Sequence, residues 1–286
     1  MSRGNVDNAR GAAGLRWQSQ LILLAIVPVT ATWLVLAAGP LWAARDPVLG
    51  QAAAISIAFA ALVYRLRAAT AGAAITGGVF TAALYLQRPG WRTSLWPLLA
   101  LFLLTFAATR FGCRRKEALG TAEGKRGRTA SQVAANLGVA ALAGIPQLME
   151  GAGVFVGERA LVVAMMAAMA EATADTVSSE LGQVLGGEPR MITSLRRAPV
   201  GTDGGITLIG TVAGCGSAAA VVAVGAVALP LTVREGLIAL GAAVAGLLFD
   251  SLLGAVPERR GWLNNDAVNT LSTLAAAVLA AVAMRS

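Results

Sequence analysis

The residues best suited to chemistry lie between Glu171 and Gly210, in EATADTVSSELGQVLGGEPRMITSLRRAPVGTDGGITLIG. Glu171 and Asp175 are four apart, so a helix would put both carboxylates on one face, with Ser178 and Ser179 a turn further on and Glu180 just beyond. Two like charges at that spacing repel unless a cation or a base lies between them, and the penalty rises at a membrane boundary. Oxygen-only donors of this kind suit Mg2+, which keeps waters and bridges carboxylates to phosphates. The plainer alternative makes both acids helix-end charges paired with loop arginines. The cost of acids near a bilayer favours a functional role.

Four further constellations carry polar groups into apolar surroundings. Gly201-Thr202-Asp203-Gly204-Gly205 follows Arg196 and Arg197 and precedes an apolar segment beginning near Thr207. Glycines and a helix N-terminus there would turn backbone N–H groups toward an anion, a phosphate cradle, although an ordinary capped turn has the same spacing. No GxxxxGK[ST] string occurs. Lys125, Arg126 and Arg128 run into a segment where Gln132 and Asn136 share one helical face, a pattern for a polar cavity as much as for a positive cytoplasmic loop. Asp250, followed by Ser251, and the run Asn264-Asn265-Asp266 with Asn269 mark two more helix ends, where single Asp or Asn residues commonly serve as caps or interhelical bonds. The chain has no histidine, which removes any histidine base, histidine metal ligand or Ser-His-Asp triad. Cys113 and Cys215 are not spaced as zinc ligands.

The elements that must position these groups are apolar. Of 286 residues, 56% are hydrophobic and only 13% charged, against about 25% in an ordinary soluble domain. The fold class expected is all-α and polytopic, because lipid leaves no partner for open strand edges. Nine candidate transmembrane or half-membrane helices follow: Leu21–Ala38, Val48–Tyr64, Thr70–Leu86, Leu95–Ala108, Ala130–Ile145, Ala160–Thr176, Thr207–Leu229, Gly236–Leu253 and Ala267–Met284. Residues 1–20 read as a basic cytoplasmic tail and 21–286 as one integral membrane domain with cytoplasmic loops 110–128 and 177–206. With the N-terminus inside, most of the 23 Lys and Arg fall on the cytoplasmic side, so the net charge of +8 reads as topology and calls for no nucleic-acid partner. The same assignment puts all the polar constellations at cytoplasmic helix ends.

The strings KRGRTASQVAAN, ADTVSSELG, GTDGGITLIG, FDSLLGA and NNDAVN, in this order between apolar helices, resemble a membrane family. That family includes the plant chloroplast phytyl-phosphate kinases and an animal transmembrane protein of unknown function. The resemblance runs from about Thr70 to the C-terminus, and five ordered motifs make it far more specific than any one string. It implies a membrane kinase that converts an isoprenoid monophosphate, of phytyl or geranylgeranyl type, to the diphosphate with a nucleoside triphosphate and Mg2+. A related group of phytol and dolichol kinases uses CTP, which makes CTP the favoured donor. The chain departs from the plant members in showing no transit peptide, which suggests a prokaryotic plasma membrane with the site facing the cytoplasm. It also carries Asp203 where Asn is common in the family's GT-x-GG motif. A carboxylate there repels phosphate unless Mg2+ lies between.

On that resemblance, Asp175, Glu180 and Asp203 are the catalytic candidates, and Glu171, Asp175, Glu180, Asp203, Asp250 and Asp266 the metal candidates. Nucleotide or phosphate would be held by Lys125, Arg126, Arg128, Arg196 and Arg197, whose guanidinium groups suit phosphate oxygens, and by Gln132, Asn136, Ser179, Asn265 and Asn269. Gly201, Thr202, Gly204 and Gly205 would complete the cradle. The expected partners are the triphosphate, the prenyl monophosphate and the bilayer, with homo-oligomerisation left open. The rival reading, of another class, is a transporter or flippase for an anionic lipid or metabolite, which would place its key polar groups near mid-bilayer.

Overall fold

Polar caps fix where the apolar segments become helices in the computed structural model, which describes residues 16–121, 127–145, 147 and 156–285. Among the described residues there are ten α-helices: α1 (Arg16–Ala43), α2 (Pro47–Arg65), α3 (Ala71–Gln87), α4 (Leu95–Arg110), α5 (Cys113–Leu119), α6 (Ala130–Ala143), α7 (Glu158–Leu185), α8 (Leu208–Ala228), α9 (Val233–Leu253) and α10 (Asn265–Ala283). Thr70, Thr129, Thr207, Thr232 and Asn264 each accept a backbone N–H at the start of α3, α6, α8, α9 and α10. Thr129 with Gln132, and Thr232 with Glu235, form reciprocal capping boxes. The only sheet among the described residues is an antiparallel ribbon, β1 (Arg190–Met191) with β2 (Gly205–Ile206), pairing Met191 with Gly205.

The protein is a polytopic all-α membrane protein. Six helices, α1, α2, α7, α8, α9 with its continuation, and α10, are long and apolar enough to cross a membrane. The pair α4–α5 would be a seventh span bent by 60°, and α3 and α6 are shorter apolar helices. Leu24, Leu36, Ile57, Val227, Val233 and Val282 are exposed large side chains on these elements, as expected of surfaces that meet lipid rather than water.

Helix α7 forms the axis. Met165, Met166 and Met169 are fully or almost fully buried among alanines, and α7 packs against α4, α6, α8, α9 and α10. Small residues allow the close approach: a methyl on Gly214 of α8 would come within 2.8 Å of the Ala174 carbonyl oxygen. At one end of the bundle Arg159 pairs with Glu235, while its guanidinium also donates to the Pro230 carbonyl. The polar motifs gather toward the other end.

Three elements differ from the sequence expectation, the first being α1, which begins at Arg16 inside the expected 1–20 tail and runs on to Ala43. Helix α7 does not stop at Thr176 but continues to Leu185, so the first part of the expected 177–206 loop is helical. Val177, Gly182 and Val184 are buried there, giving this polar stretch a packed face that its composition conceals. The expected 110–128 loop contains α5, whose basic run is anchored by a buried Lys116.

Candidate functional site

Helix α7 carries Glu171 and Asp175 on one face, as the spacing requires, and α9 brings Asp250 against them. Asp250 lies within hydrogen-bonding reach of Asp175. The Ser272 hydroxyl of α10 is 3.1 Å from Asp250 Oδ2 and 3.1 Å from the Asn269 carbonyl oxygen, in the neighbourhood of Glu171. Glu171 is 1% exposed, and its Oε1 has no hydrogen-bond partner among the described residues. Such a carboxylate oxygen costs free energy unless a proton or cation meets it. Gly246 of α9 makes the approach feasible: a methyl there would come within 2.6 Å of Glu171 Cγ and 3.0 Å of Ala276 Cβ.

Past Leu253, α9 continues as a π-helical turn over Gly254–Glu258, which swings Glu258 into electrostatic range of Asp175, Asp250 and Asp203. The Gly201–Gly205 loop docks onto this turn. Gly204 has φ +74° and packs so tightly on Ala255 that any side chain would overlap it, so glycine is required on two counts. The Gly204 carbonyl accepts from Ile192 N–H at 3.0 Å, and Gly205 N–H donates to the Thr202 carbonyl at 2.9 Å. The loop is thus braced by its own backbone, and Asp203 sits beside Arg259. Crowding on the inner side of the loop raises the Asp203 carboxyl above its ordinary range, opposed by the Arg259 guanidinium, while its outer edge remains in solvent.

Opposite the acids stands Arg128. Its backbone is fixed to the α2–α3 connection, N–H to the Ala68 carbonyl and carbonyl to Thr70 N–H, both at 3.0 Å. Its guanidinium donates to Thr176 Oγ1 at 3.2 Å and lies in Coulombic range of Asp175. The same Arg128 lines a cavity of about 390 Å3 bounded by α2, α3, α4, α5, α6 and Ala172 of α7. Polar groups of this cavity include Arg67, Arg110, Lys116 and Asn136, while Phe59, Leu101 and Phe102 line its apolar part. Asn136 Oδ1 accepts from Asn269 Nδ2 at 3.1 Å, joining α6 to α10 across the buried boundary between cavity and acids.

The other candidates are distributed more widely. Glu180 Oε2 is 2.6 Å from Lys116 Nζ, which also donates to the Ala108 and Thr109 carbonyls. Asp266 is buried in the first turn of α10, where its carbonyl accepts from Thr270. Gln132 closes the capping box of α6, and Asn265 and Ser179 are exposed. Arg196 and Arg197 are exposed on the ribbon, Arg197 pairing with Glu188 at 3.0 Å. Thr202 Oγ1 donates to the Pro199 carbonyl at 2.7 Å, and Gly201 has φ +84°. Lys125 and Arg126 lie outside the described residues. Among the described residues, no three Cys, Asp or Glu converge as a ready-made metal cage.

Four participants escaped the sequence reading. Ser272 continues the polar stripe Asn265, Asn269 at helical spacing and was in principle visible. Glu258 belongs to no motif in the sequence, because only the π-helical continuation of α9 turns it inward. Lys116 and Thr176 were hidden in a basic run and an apolar helix.

An apolar bundle with a charged site gathered toward one end defines a polytopic integral membrane protein with a buried polar centre. Its sequence places it more closely: the chain belongs to the DUF92 family of integral membrane proteins, whose profile matches residues 54–277. It is similar to an uncharacterized membrane protein of Methanocaldococcus jannaschii, 35% identical over 182 residues, 64% of this chain and 72% of the relative. An uncharacterized membrane protein of Synechocystis is 31% identical over 215 residues, 72% of this chain and 77% of the relative. The chloroplastic protein VTE6 of Arabidopsis thaliana is 28% identical over 186 residues, 63% of this chain and 55% of that protein. No solved structure matches the chain.

Proposed function

We propose that this protein is a membrane kinase that transfers a phosphoryl group from a nucleoside triphosphate, with CTP favoured, to an isoprenoid monophosphate of phytyl or geranylgeranyl type. The observation that carries the reading is the position of Arg128, which lines an amphiphile-sized cavity on one side and, on the other, bonds Thr176 within Coulombic range of Asp175. The similarity to VTE6 and the motif resemblance to plant phytyl-phosphate kinases support it. The gathering of the acids beside Arg128, away from the Arg159–Glu235 end, favours a transferase over a carrier.

The acceptor in this reaction is a phosphate monoester, whose oxygen is already ionised near neutral pH, so no protein base is needed and the absence of histidine is no obstacle. The acceptor oxygen would attack the γ-phosphorus, the bond to the β-phosphate oxygen would break, and the nucleoside diphosphate would leave. Positioning and charge neutralisation carry most of such a step. Arg128 would fix the acceptor phosphate, and the loop carrying Asp203, docked at Ala255, would hold the triphosphate side. Magnesium, when bound, would neutralise charge on the transferring phosphoryl group.

The donors present fit Mg2+ of that kind. Glu171, Asp175 and Asp250 offer oxygen only, Glu171 has an orphaned buried oxygen, and Mg2+ commonly takes one or two protein carboxylates and completes its shell with water and phosphate. Glu180, held by Lys116, is assigned here to bracing α5 against α7. The direct test supplies purified protein with each nucleoside triphosphate, Mg2+ and geranylgeranyl monophosphate, and analyses the lipid product by mass spectrometry. The proposal expects the diphosphate with at least one donor; none with any donor would overturn it.

A further inference from the structure

The cavity beside Arg128 has a chemical polarity that specifies more than a substrate class. Its lining holds Arg67, Arg110, Lys116 and Arg128, with Glu117 and Asn136, together with an apolar wall that includes Phe59, Leu98, Leu101 and Phe102. The wall is built as a unit: the rings of Phe59 and Phe102 meet edge-on at 5.4 Å between centroids, and Phe102 stacks on Phe106 at 5.6 Å. Arg110 is held over the Phe106 ring at 4.9 Å and donates to the Leu66 carbonyl at 2.7 Å, so the cationic part and the aromatic wall are one packed assembly. Gly77 faces this wall from α3, and the nearest atom to a methyl placed there is a Phe59 ring carbon at 4.0 Å, ordinary contact. A Cβ at 77 therefore meets no backbone at close range, and a side chain there would start from the cavity lining.

We infer that this cavity receives the isoprenoid chain of the acceptor, with its phosphate at Arg128, and that Gly77, Phe59 and Phe102 set the longest chain admitted. The inference rests on the kinase reading for the identity of the acceptor, but the binding it describes does not require turnover. A single chain with one anionic head matches a cavity with an apolar wall and a cationic portion. Arg128 then places that head beside Asp175, where the reaction requires it.

The experiment measures direct binding of radiolabelled geranyl, farnesyl and geranylgeranyl monophosphates to the full chain in nanodiscs, without nucleotide. Wild-type protein is compared with Gly77→Leu, which fills the cavity, Phe102→Ala, which opens it, and Arg128→Gln. Gly77→Leu is expected to weaken geranylgeranyl monophosphate at least tenfold more than geranyl monophosphate, and Phe102→Ala to admit longer chains than wild type. Arg128→Gln is expected to weaken all three alike and to leave the corresponding alcohols unaffected. Thermal melting shows whether each variant is folded, and either cavity variant alone suffices to read the chain-length effect. Unchanged length discrimination in a folded cavity variant overturns the inference. So does phosphatidic acid competing as well as geranylgeranyl monophosphate, which would make the cavity a general lipid cleft. Length-selective binding without diphosphate formation by wild type would sustain the cavity assignment and refute the kinase reading; normal turnover with no length effect would do the reverse.

Discussion

Asp175 and Glu171 share a helix face but stand in different surroundings. Asp175 lies in Coulombic range of Arg128, whereas Glu171 is sealed among α7, α9 and α10 with one oxygen unpartnered among the described residues. Replacing Glu171 with Gln removes a fully buried acid crowded by Asp175 and Asp250. The account expects Glu171→Gln to raise the melting temperature, equivalent to about 1 kcal/mol, while lowering transfer activity, a trade common at functional sites. Thermal melting and a product assay on the same preparation check both halves. Lys116–Glu180 behaves differently, since Lys116 has three acceptors and almost no exposure. Glu180→Gln leaves a buried ammonium uncompensated and is expected to cost about 3–5 kcal/mol, whereas Lys116→Met with Glu180→Leu recovers most of that loss. Melting curves of the single and double variants decide whether Glu180 braces the fold; a fully stable Glu180→Gln variant with no activity would restore it to the chemistry.

Elements position these residues through contacts that composition alone does not display. Gly246 lets α9 approach Glu171, so Gly246→Val should separate α9 from α7 and α10 and destabilise the protein by more than about 2 kcal/mol, read by melting. If the Asp203 loop holds the triphosphate as proposed, Gly204→Ala should raise the KM for the triphosphate more than that for the prenyl monophosphate, because it displaces the loop from Ala255 and leaves the cavity intact. The apolar helices were legible in the sequence, since runs of Leu, Val and Ala bounded by Thr and Asn caps leave few alternatives in a bilayer. The pairing of Glu171 with Asp175 was legible for the same geometric reason. The docking of the Asp203 loop on Ala255 was not, because it depends on a π-helical turn whose sequence GAVPE carries no periodic pattern. Nor was the use of Gln132 as a cap, which a helical wheel shows only as a polar residue.

At the scale of the molecule, the bundle separates two kinds of charge. The Arg159–Glu235 pair closes one end as a structural clamp, and the acids, Arg128 and the cavity lie toward the other. We propose that this second end faces the cytoplasm, on the positive-inside rule and the excess of Lys and Arg in its loops. Cys113 is exposed at this end and reports the orientation. In a Cys215→Ser background expressed in a bacterial plasma membrane, an impermeant maleimide should label inside-out vesicles and spare intact cells; the opposite pattern would invert the topology.

The claim that joins these scales is that Asp175 and Arg128 mark the point where an isoprenoid phosphate meets a triphosphate. It is tested most directly by following a radiolabelled γ-phosphoryl group from nucleotide to geranylgeranyl monophosphate in nanodiscs containing wild-type protein or Asp175→Asn. The account predicts labelled geranylgeranyl diphosphate with wild type, abolished by a chelator of Mg2+, and a rate at least about 100-fold lower with Asp175→Asn. Label that never reaches the lipid with any donor, or an Asp175→Asn variant as fast as wild type, would contradict it.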